Sequence, residues 1–356
     1  MWDITEEDLL PISIGAAVLG SGGGGSPYLG YLRVRQVMEA GGRIRVIDPD
    51  EIADDDLLVS VGGMGSPMVS HEKLAGGEEE TVAARALEKH LGQQFDAIAP
   101  FEMGGGNSMV PMIVAAAMEI PLVNGDGMGR AFPELQMITY LIYGGSPSPA
   151  AIADERGNEV VIGEVASAKW LERIMRAATI EMGGHTGLAG SVMDGAFCKR
   201  TIIPRTLHLA RSIGHAILKA RIAKSDPSDA ITEVAGGLRY LRGKVVDVDR
   251  RTTSGFAKGE MTVVGLAEDA GRTIKIEFQN ENLVIWEEGE PRVTVPDLIT
   301  LVVTETGEPI TTELTRFGVR ADVIVLPGPA LMTTDVALEV VGPRAFGINV
   351  DYRPAI

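Results

Sequence analysis

Ile120-Pro-Leu-Val-Asn-Gly-Asp-Gly-Met-Gly-Arg-Ala-Phe-Pro-Glu-Leu-Gln136 opens on a short apolar run and leads into a segment, Ala131 to Tyr143, that can continue as a helix. Ile120–Val123 reads as a buried strand. Between strand and helix lie clustered glycines, two acids (Asp126, Glu134) and one arginine (Arg130). In open α/β sheets, ligands bind just beyond the carboxyl ends of the strands, where flexible backbone and charge collect.

The same arrangement recurs upstream. Leu57–Val61 reads as a strand ending in Gly62-Gly-Met-Gly-Ser-Pro67, and Ala97–Pro100 as a strand ending in Phe101-Glu-Met-Gly-Gly-Gly-Asn107. Helices are expected over Thr5–Leu19, Tyr28–Ala40, Glu79–Leu91 and Met109–Met118. Thr5 can cap the first of these, with acids in its first turn where the helix dipole favours them. Strands alternating with helices predict an α/β class: a three-layer αβα N-terminal domain with a mostly parallel sheet. Ala168–Met182 and Pro204–Ala223 read as further helices. From Gly243 onward, short β-rich runs separated by Gly and Pro predict a C-terminal barrel or sandwich. The expected division is an α/β domain over 1–167, then a helical linker and β-rich domain over 168–356.

The chain has 356 residues, 45% of them apolar, enough for two domains of ordinary size. Its net charge of −17 disfavours phosphate backbones, so nucleic acid is not an expected partner. The single Cys198 excludes an intrachain disulfide and any cysteine-cluster metal site. The acidic start, Met1-Trp-Asp-Ile-Thr-Glu-Glu-Asp8, lacks the basic region of a signal peptide. No apolar run approaches the roughly 20 residues that span a bilayer. A cytoplasmic protein with a small-molecule substrate, no membrane association and self-association into a homo-oligomer is expected.

Five constellations are candidates for chemistry. Gly20-Ser-Gly-Gly-Gly-Gly-Ser-Pro27 offers backbone N–H groups (Gly22, Gly23, Gly24) before a helix, a natural anion cradle. It lacks a P-loop's Gly-Lys-Ser/Thr end, and it follows a helix where a dinucleotide fingerprint follows a strand; an interhelical turn explains it equally well. At Gly62–Pro67, Gly63 supplies open backbone, while Ser66 has no local base to activate it. In the third, Glu102 is a candidate base or metal ligand, Gly105 open backbone, and Asn107 a donor or a helix cap. In the fourth, Asp126 and Glu134 can reach one pocket, beside Gly127. Arg130 either braces one of those acids or holds a substrate carboxylate in a two-bond fork. In the fifth, Glu181-Met-Gly-Gly-His-Thr-Gly187 frames His185 with glycines, placing it for access. His208 and His215 share a helix face but match no metal signature.

Together, Gly20–Pro27, Glu102–Asn107, Asp126–Gln136 and Phe278-Gln-Asn-Glu-Asn-Leu283 resemble the S-methyl thiohydantoin desulfurase-like family, as do Pro296–Ile299 and Gly342–Gly347. The resemblance runs over nearly the whole chain. It implies a three-layer α/β domain followed by a β-rich domain, and a link to the breakdown of hydantoin-type rings. The expected activity is hydrolysis of a hydantoin-like or S-methyl thiohydantoin-like ring. Glu102, Asp126, Glu134 and His185 are the candidate catalytic groups. A divalent metal on Glu102, Asp126 and His185 is a candidate cofactor, since carboxylate and imidazole suit Zn, Mn or Fe. Two rival readings stand beside it: an accessory or ligand-binding subunit associated with a hydantoinase/oxoprolinase-type enzyme, and a phosphate- or nucleotide-binding enzyme using the Gly20–Gly25 loop.

Overall fold

In a computed structural model, which describes residues 1–65, 69, 73, 76–253 and 256–355, two eight-stranded sheets organise the chain. The first contains β1 (Trp2–Asp3), β2 (Arg45–Ile47), β3 (Leu57–Gly65), β4 (Ala97–Ile98), β5 (Leu122–Val123), β7 (Ala150–Ala153), β8 (Glu159–Ile162) and β9 (His185–Asp194). Their order is β1-β2-β5-β4-β3-β9-β7-β8. The strands β2, β5, β4 and β3 run parallel, as the alternation with helices predicts. The strands flanking this core, β1 on one side and β9, β7 and β8 on the other, are antiparallel, so the sheet is mixed. A small ribbon pairs β6 (Gly125–Asp126) with β10 (Ile203–Pro204).

Strand side chains alternate between faces, and the core divides accordingly. Val59, Val61 and Ile98 belong to one apolar cluster, while Leu58, Ala97 and Ala99 belong to another. The first cluster is completed by α1 (Glu6–Leu19), α2 (Tyr28–Glu39), α3 (Glu79–Leu91), α4 (Val110–Met118), α8 (Thr206–Ala223) and α9 (Pro227–Ala235). The second is completed by α5 (Thr139–Ile142), α6 (Ala168–Glu181), α7 (Gly195–Thr201) and α10 (Asp335–Val341). This is the expected αβα arrangement. At the start of α1, Thr5 and Asp8 close a capping box, the Thr5 N–H and hydroxyl donating to Asp8 Oδ2 at 2.9 and 2.8 Å.

The stretch expected as a helical linker is part of the first layer system. β9 is inserted between β3 and β7, and α8 packs along α1 so closely that a Cβ on Gly214 would lie 1.9 Å from Pro11 O. A strand supplied from far along the chain leaves no local signal of where it will insert.

The second sheet is antiparallel throughout: β11 (Leu238–Thr253), β12 (Phe256–Gly265), β13 (Thr273–Gln279), β14 (Glu281–Glu287), β15 (Glu290–Thr294), β16 (Leu298–Val303), β17 (Pro309–Ile310) and β18 (Arg320–Leu326), ordered β15-β14-β13-β12-β11-β18-β16-β17. Val293 on one edge strand and Ile310 on the other share a single core. Both edges of the sheet thus contribute to the apolar core of an antiparallel, β-rich C-terminal domain. It sits against the first domain through buried hydrogen bonds: the Thr300 hydroxyl donates to Val18 O at 2.8 Å, and the Asn282 N–H donates to Ser21 O at 2.8 Å.

Candidate functional site

The parallel strands β3, β4 and β5 end side by side, so the three glycine-rich strand ends meet. The Gly63 N–H donates to Asn107 Oδ1 at 2.7 Å, and the Met103 N–H donates to Asp126 Oδ2 at 2.8 Å. Small residues make the approach possible. A Cβ on Gly104 would lie 2.4 Å from the Ala131 nitrogen, and Gly105, at φ +69°, lies against Gly24. Ser66 lies outside the described residues.

Asn107 does not cap α4; its amide joins two loops. Its Nδ2 donates to Gly63 O at 3.2 Å and to Glu102 Oε1 at 2.7 Å. Glu102 is buried, and its Oε2 has no hydrogen-bond partner. Burial favours the neutral acid, and the nearby Asp126 charge adds to this, so the Glu102 carboxyl is pushed up to about 8 despite the Asn107 bond.

Asp126 is wholly buried at the β6 ribbon. Its Oδ2 accepts from Met103, Met128 (3.2 Å) and Gly129 (2.8 Å), holding the loop after β4 against the loop after β5. Its Oδ1 has no hydrogen-bond partner. Burial pushes Asp126 up to about 6, opposed by these amides and by the Thr206 hydroxyl beside it. Near neutral pH the two carboxyls therefore differ: Glu102 keeps its proton and Asp126 is mostly ionised.

Arg130 does neither of the things its sequence position suggested. Its side chain is fully buried and donates to backbone carbonyls: Asn282 O at 3.0 Å, Asp297 O at 2.6 Å, Pro296 O at 3.4 Å and Ala131 O at 3.2 Å. Its guanidinium also lies 5.0 Å from the centre of the Phe132 ring. The substrate clamp and the brace to Asp126 or Glu134 are both corrected: the planar fork is filled by carbonyls of the second domain. Burial works against its charge, and the Glu281 and Asp297 carboxylates support it.

Glu281 escaped the sequence reading. It is buried at the start of β14, its Oε2 lacks a partner, and burial raises its pKa while Arg130 lowers it. A Cβ on Gly23 would lie 2.1 Å from Glu281 Oε1, and one on Gly22 would lie 2.7 Å from Asn282 Nδ2. The anion-cradle expectation for this loop is corrected at Gly22 and Gly23. Both are buried beneath the second sheet, and Gly22 O accepts from the Thr312 N–H at 2.8 Å. Gly24, Gly25 and Ser26 reach partial exposure. The sequence signal for Glu281 was a polar run, Gln279-Asn-Glu-Asn282, between two apolar strands; such a run usually marks an exposed turn, and here it is buried.

His185 opens β9 opposite Gly65 and is half-buried. A Cβ on Gly63 would lie 3.0 Å from His185 Nε2 and 3.3 Å from Asn107 Oδ1. The imidazole and the amide thus flank one bare stretch of backbone. Burial lowers the His185 pKa against the pull of Glu80 and Glu79, favouring neutral imidazole. Glu134 stands apart, accepting from Gln136 Nε2 beside α6, with no hydrogen bond to Glu102 or Asp126. Gly127 is a packing position, its Cβ site 2.3 Å from Ile138 Cγ1, and its N–H donates to Phe101 O at 3.1 Å. Among the described residues, no group of three or more His, Cys, Asp or Glu is placed to hold a metal ion. Glu102, Asp126 and His185 are accordingly not gathered as such a group. Cys198 is buried and its thiol is pushed up to about 12 by that burial, which makes it inert. Two surface hollows, of about 450 and 580 Å³, lie elsewhere; His208, His215 and the Asp8–Arg211 ion pair line the smaller.

Family models match both halves: "S-Me-THD-like, N-terminal domain" over residues 7–164 and "S-Me-THD-like, C-terminal domain" over 166–355. The chain belongs to the S-Me-THD-like family. A crystal structure of a structural-genomics protein from Chromobacterium violaceum is similar to this S-Me-THD-like chain over 100% of both, with a TM-score of 0.80 and 25% identity. No curated protein matches. Both domains of the family model are thus present, and the second supplies the carbonyls that hold Arg130. Among the described residues no helix is long and apolar enough to cross a membrane.

Proposed function

We propose that this chain hydrolyses a small hydantoin-like or S-methyl thiohydantoin-like ring, with Glu102 as general acid. The observation that carries the reading is the buried Glu102 carboxyl, its Oε2 without a protein partner, tied through Asn107 to Gly63, which packs against His185.

For an S-methyl thiohydantoin, water adds to the ring carbon bearing sulfur and gives a proton to neutral His185. Glu102 protonates the adjacent ring nitrogen. The tetrahedral adduct then collapses: its hydroxyl proton returns to Glu102, the carbon–sulfur bond breaks, and methanethiolate takes the proton from His185. Hydantoin and methanethiol leave, and both groups are restored. Burial favours the neutral Glu102 acid and the Asp126 charge adds to this, while Asp126 also fixes the two loops. General acid–base assistance of this kind contributes about 10²–10⁴-fold.

The test is methanethiol release and hydantoin formation from S-methyl thiohydantoins by the full chain. Turnover by the parent, reduced about 10²–10⁴-fold in Glu102→Gln, is expected. No consumption of thiohydantoin or hydantoin substrates, or turnover indifferent to Glu102→Gln, would overturn the reading.

A further inference from the structure

We propose that Asn107 is a positioning residue that fixes the transferable proton of Glu102 on Oε2. The inference rests on the general-acid role of Glu102 and adds which oxygen acts and what decides it.

The orientation of the Asn107 amide is set by backbone. The Gly63 N–H needs an acceptor and finds Asn107 Oδ1 at 2.7 Å; Gly63 O needs a donor and finds Asn107 Nδ2 at 3.2 Å. Turning the amide over would set N–H against N–H and oxygen against oxygen, leaving two backbone groups unpaired. One Nδ2 hydrogen serves Gly63 O. The other is then directed to Glu102 Oε1, 2.7 Å away. An amide N–H only donates, so Oε1 must accept. In the neutral acid, the oxygen that accepts is the carbonyl oxygen and the hydroxyl is the other one, Oε2. That oxygen is buried and has no protein partner. The Phe132 amide faces the carboxyl without making a hydrogen bond to Oε2. The hydroxyl is thereby left for a substrate atom.

The charged and titratable groups facing this carboxyl are Asp126 from β6 and Glu281 from β14, with Arg130 close to Glu281. None of them contacts Oε2. The arrangement makes Gly63, on the neighbouring strand, part of the device: its peptide group orients the amide that orients the acid.

Asn107→Asp tests this. An aspartate can still accept from the Gly63 N–H, but it has no hydrogen to give Glu102. The Glu102 proton then moves to Oε1 and is held between the two carboxyls. The expected result on S-methyl thiohydantoin is a kcat reduced at least 10-fold with KM little changed, and an acidic limb of the pH–rate profile displaced from the parent's. Asn107→Gln and Asn107→Ala, with circular dichroism to confirm folding, separate loss of the donor from loss of the loop. In all of them the infrared carbonyl band of neutral Glu102, assigned by its absence in Glu102→Gln, should shift in frequency as the Asn107 bond is lost. An unmoved band and an unmoved pH profile in folded Asn107→Asp would overturn the proposal. If instead Glu102→Gln itself retains turnover while the band shifts in Asn107→Asp, the general-acid role fails and the placement of the proton stands.

Discussion

Replacing Arg130 by lysine keeps the charge and removes the fork. Arg130 reaches Asn282 O, Asp297 O and Pro296 O of the second domain from a fully buried position. A lysine ammonium is a point donor and cannot span them together. At least two of these bonds are lost. Hydrogen bonds to charged groups contribute about 1.5–3 kcal/mol each, so the change costs about 3–6 kcal/mol. Against a total stability of about 5–15 kcal/mol, this is a large fraction. Urea unfolding at neutral pH, followed by circular dichroism, should show a sharply lower midpoint for Arg130→Lys. The inter-domain brace also predicts that any turnover falls alike for substrates with and without a carboxylate. A variant within about 0.5 kcal/mol of the parent, the range of ordinary surface changes, would refute the brace. A loss confined to carboxylate-bearing substrates would restore the clamp.

Glu102, with a native pKa near 8 against 4.5 in the open chain, contributes stability that is full below pH 4.5 and lost as pH rises towards 8. The melting temperature of Glu102→Gln relative to the parent should therefore climb between pH 5 and 8.5, and a flat difference would contradict it. Gly63→Ala sets a methyl 3.0 Å from His185 Nε2 and 3.3 Å from Asn107 Oδ1. It should raise KM or abolish turnover while leaving the fold intact, as steady-state kinetics and thermal melts would show. Gly23→Ala drives a methyl to 2.1 Å from Glu281 Oε1 and should cost about 1–3 kcal/mol as overpacking, read as a lower urea midpoint.

The convergence of Gly62–Gly65, Glu102–Asn107 and Asp126–Arg130 was legible in sequence because parallel strands carry their carboxyl ends to one edge. Glycine runs after apolar strands announced that edge, and Asp126 and Glu102 do meet there. What those side chains do was not legible. Arg130 is followed by nothing that reveals three carbonyls arriving from residues 282, 296 and 297. Glu281 was hidden for the same reason: local polarity cannot show that a second sheet will bury it. Glu134, eight residues from Asp126, accepts from Gln136, while its neighbours Pro133 and Leu135 are tied to Arg176 and Glu172 of α6. The place of β9 between β3 and β7 depends on pairing over more than a hundred residues, which periodicity does not encode.

The most direct test of the account is the protonation of Glu102. Infrared spectra of the full chain between pH 6 and 10, taken as parent minus Glu102→Gln, isolate its carbonyl band. The account predicts a neutral-acid band present at pH 7 and lost with a midpoint near 8. A Glu102 already ionised at pH 6 would contradict it.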